Sequence, residues 1–152
     1  MAYRAGEARQ QLLNDVAVAA DQLALAVAAL GEAYEELDEQ TADRLEEVLF
    51  RPVQHAYGRL RRTHAEFADR YQLPGRTFER SSGGMHSGDP RVYVERAVEA
   101  IEQADQILIE LQDSMMPVEV GDRELREGLS AVRTAIADVP GRAHALMRAQ
   151  GR

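Results

Sequence analysis

Carboxylates crowd one short stretch of this chain. Glu32, Glu35, Glu36, Asp38 and Glu39 come before Thr41, and Asp43, Glu46 and Glu47 come after it. On a helix, Glu32 and Glu35 share a face because they lie three apart. Asp43 and Glu47 share one because they lie four apart. Two such pairs brought face to face offer the oxygen ligands that a hard cation such as Mg²⁺ requires. Glu32, Glu35, Asp43 and Glu47 are therefore the candidate metal ligands. The competing reading is a solvated acidic tip, in which Asp43, Glu46 and Glu47 simply favour the positive end of a helix dipole. Acids at the negative end of the preceding helix work against its dipole, which is the observation on the metal side.

The same stretch carries a family resemblance. Glu32-Ala33-Tyr34-Glu35-Glu36-Leu37-Asp38, then Leu45-Glu46-Glu47-Val48-Leu49-Phe50 and Val53-Gln54-His55-Ala56, resembles the MazG-type nucleotide pyrophosphohydrolases. The resemblance implies an all-α enzyme that hydrolyses nucleoside triphosphates with Mg²⁺. Its ligands would come from a Glu-Glu-x-x-Glu motif and a following Glu-x-x-Asp motif. Gly31 stands where that family has its first glutamate. Arg44 stands for the second motif's glutamate, and Glu47 for its aspartate. The resemblance thus implies a site short of two ligands.

The histidines suggest less. His55 and His64 lie nine apart, on opposite sides of one helix, so they cannot share a metal from one face. No Glu-x-x-His pair of the di-iron bundle kind occurs. His55-Ala56-Tyr57-Gly58 has a distant likeness to the His-x-x-Lys-Gly of histidine phosphotransfer bundles, but without the lysine. His86 and His144 have no evident partner. No cysteine is present, which excludes disulfides, thiolate metal sites and cysteine nucleophiles.

Helices must position these groups, and the apolar pattern predicts four. Leu13, Val16, Ala20, Leu23, Val27, Leu30, Tyr34 and Leu37 step by three and four. Val94, Ala97, Ile101, Ala104, Leu108, Leu111 and Met115 do likewise, as do Leu125, Leu129, Val132, Ile136, Val139, Ala143 and Leu146. The segment 45–71 follows more loosely. The reading is an all-α, antiparallel up-down-up-down four-helix bundle forming a single domain over 1–152. The first helix spans Glu7 to Asp38. Thr41 is the expected N-cap of a second helix that runs to Gln72 and kinks at Pro52. Leu73 to Asp89 reads as a flexible loop between hairpins, with Ser81 to Gly88 in linker composition. Asp89-Pro90 starts a third helix, which ends near Met116 because Pro117 follows. Asp122 caps the fourth. Pro140-Gly141 interrupts it, and the apolar spacing resumes over Ala143 to Met147 as a short fifth helix or a kinked tail.

All 18 basic residues are arginine, which reads as codon bias in a GC-rich genome. Charge is uneven. Residues 1–50 carry a net −8, residues 51–80 a net +4 and residues 81–152 a net −4. The acidic total of −8 argues against nucleic-acid binding. The basic middle is either an anion patch or a solvated face paired with acidic neighbours. No apolar run of bilayer-spanning length is read, and residues 1–11 lack a signal-peptide core, so a cytoplasmic protein off the membrane is expected.

One face remains. Val18 and Leu25 fall opposite the core stripe of the first helix, with Ala17, Ala24, Ala28 and Ala29 around them. A helix that is apolar nearly all round is normally buried on both sides. A homodimer through Val18 and Leu25, with Ile109 joining the patch, is the expectation. The function read from the sequence is a non-catalytic interaction or scaffold protein without a cofactor, open to a protein partner. A Mg²⁺-dependent pyrophosphohydrolase-like protein is the alternative.

Overall fold

The computed structural model describes residues 2–79 and 88–150. Among these the chain is all-helical, without strands, and five helices pack together. Helix α1 spans Ala2–Glu36. Its neighbour in sequence comes in three pieces: α2 (Glu39–Leu45), a π-helical turn (Glu46–Phe50) and α3 (Arg51–Arg70). Then follow α4 (Pro90–Asp113), the single turn α5 (Met116–Glu119), α6 (Arg123–Ile136) and α7 (Val139–Gln150).

Local chemistry sets these boundaries. Asp38, rather than Thr41, caps α2: its carboxylate accepts the Thr41 amide at 3.1 Å. An Asp carboxylate satisfies an orphan amide of the first turn better than the threonine hydroxyl does. Asp89 caps α4 through the Arg91 amide, and Asp122 caps α6 through the Leu125 amide at 2.8 Å. The chain behind Pro52 widens instead of staying α-helical, and Arg51 N–H reaches back to the Glu46 carbonyl. Proline has no amide to give and its ring presses on the carbonyl four residues earlier. A wider turn relieves both problems.

Two expected ends move. Helix α4 stops at Asp113, before Met116, because Met115 takes a left-handed conformation (φ 65°). Pro117 then sits in the first turn of α5, where its missing amide is harmless. The break before α7 falls at Ala137–Asp138, ahead of Pro140, so α7 is 12 residues long and not the short Ala143–Met147 piece.

Contacts along the rods fix their directions. Arg9, early in α1, donates through Nε to the Val120 carbonyl at 3.0 Å, and its guanidinium lies 4.3 Å over the Tyr71 ring. Further along α1, Val18 borders Ile107 and Leu111 of α4. Arg133 of α6 donates to Asp105 and Gln112 of α4. At the far end Thr41 donates to Gln150 at 3.1 Å. Hence α1 and α6–α7 run one way, and α2–α3 and α4 run the other. This corrects the up-down-up-down order: the second and third rods are parallel. The segment 71–79 leaves α3 at the end of the molecule where α1 begins. Its start is a helix stop with Gln72 left-handed (φ 54°). Leu73 N–H bonds to the Ala68 carbonyl and Gln72 N–H to that of Asp69. Leu73 and Phe78 then pack against the core. The expected flexible Ser81–Gly88 stretch falls, apart from Gly88, outside the described residues.

The core follows the apolar stripes. Leu13, Val16 and Leu23 of α1, Val94, Ile101 and Leu108 of α4, and Leu125, Leu129 and Val132 of α6 are all buried. Helix α1 is flanked by both α3 and α4. Its buried alanines, Ala19, Ala20, Ala26 and Ala33 among them, suit helices approaching on more than one side. One contact between α3 and α6 is tighter still: a Cβ added at Gly128 would meet Thr63, at 2.6 Å from its Cγ2. The segment Arg4–Glu36 is long and apolar enough to cross a bilayer, which corrects the reading that no such run exists. Alanine carries that apolarity, and over half of its 18-residue apolar window is buried inside the fold.

Candidate functional site

The acidic groups sit where α1 ends and its partner begins. Glu32 and Glu35 are on the last turns of α1, Asp43 is on α2, and Glu47 is on the π turn; all four are exposed. The structure does not bring them together. Among the described residues no group of three or more His, Asp or Glu could hold a metal ion. Exposure explains the separation. A fully hydrated carboxylate gains nothing by approaching another carboxylate unless a cation is already there. Asp38 has its own task, and the Thr41 side chain and amide hold its carboxyl below the ordinary range.

The expected interface residues divide. Val18 is 49% exposed and Leu25 is half-buried on the same stripe of α1. Val18 borders a shallow groove with Ile107, Leu111 and Met116, flanked by Asp15 and Glu110. Ala17 and Ala24, expected beside them on the outer face, are buried within the chain. Ile109 does not join the patch. It lies on α4 between Asp105 and Gln112, the two residues that Arg133 of α6 binds, so it is turned towards α6.

The histidines also separate. His55 and His144 are exposed, and His86 lies outside the described residues. His64 is 2% exposed, and its Nδ1 is buried without a hydrogen-bond partner. Phe78, on the segment after α3, stands edge-on to its ring at a centroid distance of 5.1 Å. Arg76 lies 4.7 Å over the Phe78 ring and grips Asp21 of α1 with two bonds, at 2.7 and 2.9 Å. Burial, with the Arg76 charge behind it, pushes the His64 imidazole below its ordinary value, against a weaker pull from Asp21. Sequence reasoning found His64 but missed its surroundings, which depend on where the segment after α3 folds back.

The basic middle is only partly paired. Arg70 forks onto Asp122 at 2.6 and 2.8 Å, and Arg76 onto Asp21. Burial tends to raise the Asp122 pKa, but the Arg70 bonds and the Leu125 amide together hold it below the usual range. Arg51, Arg59, Arg61 and Arg62 have no carboxylate partner among the described residues; Arg61 lies instead over the Tyr57 ring at 4.5 Å. Of the two readings of this stretch, pairing with acidic neighbours describes Arg70 and Arg76 and does not describe the other four. No protein-family model, characterised protein or solved structure matches this chain.

Proposed function

We propose that this chain is a non-catalytic interaction protein of the cytoplasm that self-associates as a homodimer and holds a protein partner. Its architecture is a four-helix bundle whose first and fourth rods oppose the second and third, with one long crossover, the second rod bent at Pro52 and the fourth just ahead of Pro140. The observation that carries the reading is Val18. A branched aliphatic side chain is half open to water on the most buried helix, beside a groove edged by Ile107 and Met116. Leu25 extends that stripe. Scattered exposed aliphatics are ordinary, but one bordering a groove is what a partner side chain can fill. Static light scattering tests the self-association. The expected mass is twice the 16.9 kDa of one chain, and a mass of 16.9 kDa overturns it.

A second reading keeps the Mg²⁺-dependent pyrophosphohydrolase-like protein, in degenerate form. What favours it is the π turn, a rare element often found at functional sites, which here carries Glu46 and Glu47. Binding linkage separates the two readings. A melting temperature raised by several degrees in millimolar Mg²⁺ or Mn²⁺ favours the hydrolase, and indifference to both favours the interaction protein.

A further inference from the structure

A cavity of about 660 Å³ lies between α4 and α7, apart from the acidic tip and the Val18 groove. Its floor is apolar: Val94 is 2% exposed, Val98 8% and Ala143 1%, and Met147 is half-buried. Its walls are charged, and they differ. The α4 wall presents Glu95, Glu99 and Glu102, which at spacings of four and three form one exposed row, preceded on the same row by the exposed Arg91, so this wall is acidic on balance. The α7 wall presents His144 and Arg148, also exposed. No ion pair joins the walls, since the groove keeps them apart.

We propose that this groove is the homodimer interface, and that the occupant is the same groove of a second copy. The proposal rests on the reading of the chain as a self-associating protein and places that association on this groove, which leaves the Val18 stripe as the face for the protein partner. The argument is charge complementarity under twofold symmetry. A half-turn about an axis along the groove lays the α4 wall of one copy over the α7 wall of the other. Each copy's Glu95 and Glu99 then face Arg148 and His144 of the partner, because α4 and α7 run antiparallel and the axis preserves level. Symmetry makes every such pair twice. An acidic or a basic partner of another kind would satisfy one wall and repel the other. A copy of this chain satisfies both.

The test exploits that geometry. Glu95→Arg alone places two cations opposite each other in both symmetry-related pairs, which lie at one level on either side of the axis, and Arg148→Glu alone places two carboxylates there. Each single variant is expected to weaken self-association at least about tenfold by sedimentation equilibrium. An equimolar mixture of the two variants restores the dimer, since every contact in the heterodimer is again a pair of opposite charges. Both variants sit on exposed side chains, and unchanged melting temperatures show that they fold. A monomeric wild type overturns this proposal and the dimer reading together. A wild-type dimer that survives both single changes but is lost in Val18→Glu/Leu25→Glu overturns the groove and keeps the dimer. Loss in both singles without recovery on mixing overturns the pairing.

Discussion

The two ends of this molecule are built differently. At the end where α1 begins, chain segments are tied by directed contacts: Arg9 to the Val120 carbonyl, Arg70 to Asp122, and Thr63 against Gly128. Phe67 packs on Tyr71 there, with centroids 4.8 Å apart. At the end where α1 stops, α7 lies between two grooves, one against α4 and one against α2 and the π turn. The carboxylates there are exposed, and the Thr41–Gln150 bond is open to solvent. Directed contacts inside a close-packed core specify one arrangement. Open grooves with unpaired rims leave free energy to be gained from a second molecule. The first end supplies stability and the second supplies surface.

Removing core volume should expose that asymmetry most strongly. Phe67 is fully buried at the tied end, whereas Leu146 keeps 9% exposure at the open end. Phe67→Ala is expected to cost about 3–5 kcal/mol, and Leu146→Ala about 2 kcal/mol, because a site next to a groove can relax. Urea unfolding followed by circular dichroism measures both. Equal losses would abolish the distinction between the ends.

Glycines give a smaller and sharper contrast. Gly128→Ala drives a methyl into Thr63. Overpacking of this kind costs about 1–3 kcal/mol, against about 1 kcal/mol of helix propensity gained. Net destabilisation is expected, relieved in part by Thr63→Ala, because the Thr63 Cβ still stands 3.0 Å from the new atom. Gly31 lies on α1 near the open end with nothing within 4 Å of such a methyl. Gly31→Ala should therefore stabilise by about 0.5–1 kcal/mol. Opposite signs from the same substitution, read from the same urea midpoints, support the comparison. Two gains would mean that α3 and α6 separate easily.

What the sequence made legible follows the same division. Leu125, Leu129, Val132, Ile136, Val139, Ala143 and Leu146 were readable as one stripe, and all are buried, because helical periodicity is a local property. Asp89 and Asp122 were readable as caps for the same reason. The direction of α4 was not readable: it depends on a crossover whose composition carries no periodicity. The outer face of α1 misled because burial of Ala17 and Ala24 comes from neighbouring helices that no local pattern announces. The acidic tip showed residue types without geometry. Spacing on each helix was right for a metal, yet convergence between helices is a tertiary fact.

The smallest expected effect concerns the one buried titratable group that ties the returning segment down. His64 resists protonation in the fold, because burial and then Arg76 push its pKa below 6.5, and Asp21 only partly opposes them. In the unfolded chain the imidazole titrates near its ordinary 6.5. Below that value the unfolded state binds a proton that the folded state refuses, so stability falls as pH falls through 6.5. Above it His64 contributes no slope. The Asp122 and Asp38 carboxyls are held below 3.8, so their stabilisation is lost only at more acid pH and does not confuse the window. Urea midpoints taken from about pH 7.5 to about pH 5.5 should therefore decline in the wild type. The decline should flatten in His64→Phe, which keeps the ring packed on Phe78 and removes the proton site. His55→Gln, at an exposed position on the same helix, should keep the wild-type slope. An unchanged slope in His64→Phe would mean that the imidazole charges without cost, and that the Phe78–Arg76–Asp21 strap opens easily enough to admit water to it.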